Sequence, residues 1–141
     1  SLGRLLVRVM VLHRGHVHET LERLGLYRGQ AFILHVLWDE EGLMQSELAA
    51  RTWVQPATMT TALQRMEQAG LIERHPDADD QRVSRVYLTE AGKALEGPVK
   101  ESFQEIEART FAGFGADERD RLRRFLEQIA GNLEEDDDEY A

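Results

Sequence analysis

The chain has 141 residues, 42% of them hydrophobic, no cysteine and a formal net charge of −9 at pH 7. That length and apolar share suit one domain with a buried core and exclude global disorder. The missing cysteines exclude a disulfide framework, a thiolate metal site and a cysteine redox switch.

The negative charge argues at first against a nucleic-acid partner, but it is unevenly placed. Glu134, Glu135, Asp136, Asp137, Asp138 and Glu139 supply six negative charges and leave −3 for the rest of the chain. Residues 1–38 hold five arginines against Glu19 and Glu22, a local +3. Binding to DNA must then rest on a local patch and specific geometry. No run approaches the roughly 18 uninterrupted apolar residues of a membrane span, so no membrane partner is expected, and the absence of cysteine suits a cytoplasmic location.

In chain order, Leu2, Leu5, Leu6, Val9, Leu12, Val17, Leu21 and Leu24 recur at helical spacing. The first residues resemble a secretory leader, but Arg8, Arg14 and three histidines interrupt the apolar run. The stretch reads as an amphipathic helix over 2–24, with Gly25 as its stop. A second, unusually apolar helix is expected over 28–38, ended by Asp39, Glu40, Glu41 and Gly42, because acids are unfavourable at a helix C-terminus.

A short helix follows from about Gln45 to Arg51, then a turn at Thr52-Trp53-Val54. The next helix starts near Pro56, a residue suited to the first helical position, and stops at Gly70. At about 100° per residue, Met59, Ala62, Leu63 and Met66 face inward while Ala57, Thr58, Thr61, Gln64, Arg65 and Gln68 share the opposite face. Residues 71–74 and 83–88 read as the strands of a hairpin around the polar loop 75–82, and Thr89 caps a further helix. A long helix from Ala91 to about Phe111 should kink at Gly97-Pro98. Gly113-Phe114-Gly115 breaks it, and Asp117 is placed to cap a last helix carrying Leu122, Phe125, Leu126, Ile129 and Leu133. Apolar stripes on both terminal helices call for a partner, most simply a second copy. The acidic run, 134–141, is expected to be a solvated, disordered tail.

Helix, turn, helix and hairpin in that order describe a winged helix-turn-helix, which places one helix in the major groove of DNA. The residues GLIERHPDADDQRVSRVYLTEAGK, preceded by QSELAARTWVQPATMTTALQRMEQA, closely resemble the winged core of the MarR (multiple antibiotic resistance regulator) family. Gly-Leu-Ile, the Asp-x-x-Asp-x-Arg wing and Leu-Thr-x-x-Gly occur in series. The detailed match covers roughly Gln45–Lys93.

The resemblance implies a mostly α protein with a small β-wing. A winged helix-turn-helix module over 44–93 is embedded between N- and C-terminal dimerisation helices (1–38 and 94–133), in one domain over 1–133. It further implies a homodimeric repressor on a pseudo-palindromic operator in double-stranded DNA, released by a small, often aromatic or phenolic, effector. Pro56, Ala57, Thr58, Thr61, Gln64 and Arg65 fall on the recognition helix, where Arg65 suits a guanine edge or a phosphate and Gln64 an adenine. Asp80 and Arg82 match the wing, with the carboxylate orienting a guanidinium bound for the minor groove. Arg74 and Arg85 are either DNA-backbone contacts or strand-face pairs.

Three positions depart from the family pattern. Met44 stands where a capping Thr is common, Gln55 where a Ser is common, and Trp53 where a turn Gly is frequent. Trp53 either stands out toward DNA or leans into the core. Thr61 stands where many members have Arg. The effector pocket is expected beside His13, His16, His35 and Trp38. His13 and His16 are three apart, but no histidine lies beyond His75, so the C-terminal helix lacks the ligands of zinc-sensing relatives, and neither a metal nor a cofactor is expected. No nucleophile–base–orienter set and no phosphate-binding glycine loop is present, which leaves an enzyme without support. The competing reading is a winged-helix module that binds protein and not specific DNA.

Overall fold

The computed structural model describes the backbone of residues 1–140 and the side chains of residues 1–134. Its elements are α1 (Leu2–Glu22), α2 (Arg28–Asp39), β1 (Leu43–Met44), α3 (Gln45–Arg51), α4 (Pro56–Gln68), β2 (Ile72–Pro76), β3 (Ser84–Leu88), α5 (Glu90–Ala94), α6 (Glu96–Thr110) and α7 (Ala116–Tyr140). They form two compact units, Ser1–Ile106 and Glu107–Ala141.

In the first unit, α2 is the central helix. Its Ala31, Ile33, Leu34 and Leu37 are fully buried, as its near-continuous apolar run predicts. Around it, Val17 and Leu21 of α1, Leu48 of α3, Met59, Leu63 and Met66 of α4, Ile72 and Val86 of the sheet and Val99 of α6 complete one core. Each of the large side chains contributes about 1.5–3 kcal/mol relative to an exposed one.

The sheet has three strands in the order β1-β3-β2, all antiparallel. The sequence shows only two. The third, β1, is a two-residue pairing of Leu43 with Val86 and Met44 with Arg85, too short to carry an alternating pattern. The hairpin register runs from Ile72↔Leu88 to Pro76↔Ser84, so Leu71 and Val83 lie just outside the strands.

Between α5 and α6 and at the start of α7 the structure departs from the sequence reading. The helix expected over 91–111 is two helices, because Pro98 has no N–H to offer Ala94 and the chain breaks at Leu95. At the start of α7, Glu118 and not Asp117 serves the terminus, its carboxylate accepting from the Gly115 N–H at 2.9 Å.

The second unit holds the end of α6, the turn at 111–115 and α7. Arg119 donates to the carbonyls of Phe111 (3.1 Å) and Phe114 (3.3 Å), satisfying acceptors that the end of α6 leaves free. The backbone of α7 stays helical to Tyr140, where the sequence expects a tail from residue 134. Extending an existing helix is easier than starting one, which lets it run into the acidic residues. The side chains of 135–141 lie outside the described residues.

Candidate nucleic-acid interface

The helix that the sequence assigns to the major groove is α4. Met59, Leu63 and Met66 are fully buried and Ala62 nearly so, which fixes the roll of the helix about its axis. The residues on its other face, Pro56, Ala57, Thr58, Thr61, Gln64, Arg65 and Gln68, are all exposed. That face carries small and polar groups, one cation and no acid, a surface that can approach base edges closely. Gln45 of α3 reaches across to Thr60 at 2.8 Å and ties the two helices together on the solvent side.

Both caps at the helix-turn-helix are incomplete, as the departures at 44 and 55 predict. Met44 provides no side-chain acceptor for α3, yet the reciprocal half of the box survives, its N–H donating to Glu47 Oε1 at 3.1 Å. Gln55 makes no side-chain cap on α4. In the turn, Trp53 resolves the alternative left by the sequence. It is 88% exposed, with its ring edge-on to Phe32 of α2 at 5.7 Å.

The wing is built by two carboxylates with different tasks. Asp80 holds Arg82 in a fork, accepting from Nε at 3.1 Å and from Nη2 at 3.2 Å. The Arg82 side chain is nevertheless 91% exposed, so it is aimed outward and held from behind. Asp77 organises the loop itself. Its Oδ2 accepts the N–H groups of Asp79 (3.1 Å) and Asp80 (3.0 Å), while Oδ1 accepts Arg85 Nε at 2.6 Å. The Arg85 guanidinium, followed by those backbone donors, holds the Asp77 carboxyl below the usual carboxylate range. Arg82 does the same for Asp80.

Arg85 also donates to the Gly42 carbonyl at 2.8 Å and lies 3.9 Å from Glu47. It is therefore a strand-face pair that locks wing loop, α2–β1 turn and α3 together. Arg74 is likewise a pair, 3.7 Å from Glu67 at the end of α4 and half-buried, its Nε without a hydrogen-bond partner. Of the four arginines expected at this surface, only Arg65 and Arg82 are presented to solvent. The clamp role of Asp77 was missed, although it is the first aspartate of the Asp-x-x-Asp-x-Arg pattern.

Near α1 the four residues expected to form a pocket separate. His13 lines a hollow of about 300 Å³ with Met10, Arg14, Val17, Arg28, Phe32 and Phe103. His35 meets Phe103 at a tilt (5.5 Å between ring centres) and Trp38 edge-on (5.2 Å). Burial, then the nearby Lys100 charge, lower the His35 pKa and favour its neutral form. Trp38 Nε1 donates to the Gly92 carbonyl at 3.0 Å and faces a different hollow, beside Leu88 and Lys93. His16 lines neither. Phe32 and Phe103 are the aromatic walls of the hollow beside His13. No helix among the described residues is long and apolar enough to cross a membrane.

Comparison with known proteins agrees with this geometry. The model for the MarR family matches residues 26–84. The HTH-type transcriptional repressor Mb2911 of Mycobacterium bovis is 31% identical over 131 residues, which span 93% of this chain and 94% of that protein. The crystal structure of the transcriptional regulator SlyA has 25% identity and a TM-score of 0.82, over 96% of each chain. BpsR of Bordetella bronchiseptica, whose DNA binding is regulated by 6-hydroxynicotinic acid, has 25% identity and a TM-score of 0.81, over 92% of this chain and 93% of that one. A repressor so similar over nearly its whole length, together with a presented reading helix and an armed wing, establishes that this chain belongs to the MarR family of winged helix-turn-helix proteins and is a DNA-binding regulator of transcription.

Proposed function

We propose that the protein acts in the cytoplasm as a homodimeric repressor on a pseudo-palindromic operator, and that a small aromatic or phenolic ligand releases it. The observation that carries the DNA part is the pairing of an acid-free exposed face on α4 with an outward-held Arg82 on the wing. In this reading Pro56, Ala57, Thr58, Thr61, Gln64 and Arg65 meet the major groove and Arg82 the minor groove. Arg74 and Arg85 shape the module and Asp80 steadies its tip.

Dimerisation is supported by apolar surface that a lone copy leaves wet. On α1, Leu2, Leu5, Val7, Val9, Met10, Val11 and Leu12 are each about half exposed or more, and α7 exposes Phe125, Leu126, Ile129 and Leu133. Contiguous patches of this kind mark association surfaces. The hollow lined by His13, Arg14, Arg28, Phe32 and Phe103 supports the ligand part, since aromatic walls with a few polar groups suit a small ring-bearing molecule.

A gel-shift titration with the DNA upstream of the protein's own gene, repeated at rising salt, tests the reading. Sequence-selective binding should weaken steeply with salt as Arg65 and Arg82 displace counterions. A salt-insensitive, sequence-blind shift would reject it. Sedimentation across a protein dilution series tests the dimer, and a thermal-shift screen of phenols and aromatic acids tests the ligand.

A further inference from the structure

We propose that Tyr27, outside the helix-turn-helix, is a positioning residue for base reading: its ring holds the Arg65 guanidinium in the orientation that meets DNA. Tyr27 stands immediately before α2, and Arg65 lies in the last turn of α4. The Arg65 Cζ lies 6.0 Å from the centre of the Tyr27 ring, within the range of a cation–π attraction. Tyr27 is 57% exposed, so the pair sits on the outside of the module.

The charge state of Arg65 makes this contact matter. Arg51, Arg74, Arg82 and Arg85 are each paired with a carboxylate. Arg65 forms no ion pair among the described residues, and its neighbour is a neutral ring. A carboxylate steadies a guanidinium, as Asp80 does Arg82, but places a negative charge beside it. An aromatic face steadies it and leaves the positive charge intact. Long flexible side chains lose rotamer freedom on binding, and holding one in advance reduces that loss.

Tyr27 is itself well anchored. Gly25, at a φ of +73°, turns the chain between α1 and α2, and Leu26 is buried beside it. The Tyr27 N–H donates to Gln30 Oε1 at 3.1 Å, and Gln30 is buried. The ring therefore projects from a fixed backbone, which a positioning residue requires. This role rests on α4 reading base edges.

The test uses the whole chain of 141 residues and a duplex enriched from a random pool by the wild-type protein. Tyr27→Leu should weaken binding by about two- to fivefold, the scale of an exposed cation–π pair. Tyr27→Phe, which keeps the ring, should retain wild-type affinity. In an Arg65→Ala background, Tyr27→Leu should add no further loss. Repeating the enrichment with Tyr27→Leu and with Arg65→Ala should relax base preference at the same position in both. Wild-type affinity for Tyr27→Leu, an equal loss in the Arg65→Ala background, or relaxation at different positions would each overturn the role of Tyr27. Failure of the wild type to enrich any sequence would instead remove the base-reading function on which it rests. Circular dichroism melting of each variant separates lost folding from lost reading.

Discussion

Gly92→Ala offers the sharpest probe of how the wing is joined to the helices behind it. A Cβ on residue 92 would sit 3.2 Å from the Leu71 carbonyl carbon, closer still to its oxygen, and 3.1 Å from Leu88 Cδ2. The obstacle is backbone, and that carbonyl is already committed to the Thr89 N–H at 3.1 Å. Forcing a methyl group into such a contact costs typically about 1–3 kcal/mol. Disturbing the Thr89 hydrogen bond adds about 1 kcal/mol. The better helix propensity of alanine returns up to about 1 kcal/mol. The net expectation is a loss of about 1–4 kcal/mol, or roughly 2–16 °C in melting temperature for a chain of this size. Differential scanning calorimetry at fixed protein concentration reads it directly. A melting temperature within about 1 °C of wild type would show that α5 slides freely along the strand, and the account of Gly92 as a contact glycine would fail.

Four other changes test the wing, the cap of α3 and the histidine of α2. Arg82→Ala should lower operator affinity and reduce the salt slope by about one, without altering the melting temperature. Asp80→Ala should lower affinity less, because the cation remains but is no longer aimed; unchanged or tighter binding would show that the fork does not aim Arg82. Met44→Thr supplies the acceptor that α3 lacks and should stabilise by about 0.5–1 kcal/mol in urea unfolding; a lower midpoint would mean that Met44 packing outweighs the cap. His35 has a lowered pKa, so the unfolded chain takes up its proton first as pH falls below 6.5. Stability should therefore fall from about pH 6.5 down to the folded-state pKa, and His35→Gln should flatten that part of the profile. A profile unchanged by the substitution would show that other groups set it.

The parts legible in the sequence were those governed by periodicity and by chain punctuation. The inward set Met59, Ala62, Leu63 and Met66 followed from helical spacing, and the wing from two β-like runs around a polar loop. What escaped were relations between residues far apart in the chain. Arg85 lies 43 residues from its acceptor at Gly42, and no local pattern announces that bond. The charges at 39–41 read only as a helix stop, yet Glu40 pairs with Arg51, and Glu41 accepts the Leu88 N–H at 2.8 Å. The pocket set was scattered for a similar reason. Histidines attract attention by their chemistry, but which of them faces a hollow depends on how α1, α2 and α6 pack. Tyr27 passed unnoticed because an exposed tyrosine before a helix has no distinctive spacing.

The two tryptophans divide the emission of this protein into two independent signals. Trp53, almost bare in the turn before the reading helix, should be quenched readily by a dissolved collider such as acrylamide or iodide. Trp38, half-buried, hydrogen-bonded to Gly92 and edge-on to His35, should be quenched less. A duplex lying along α4 would shade the first and spare the second. The unlabelled chain thus carries a gauge of whether its reading end is covered, and a second, more protected gauge of the joint between α2 and α5.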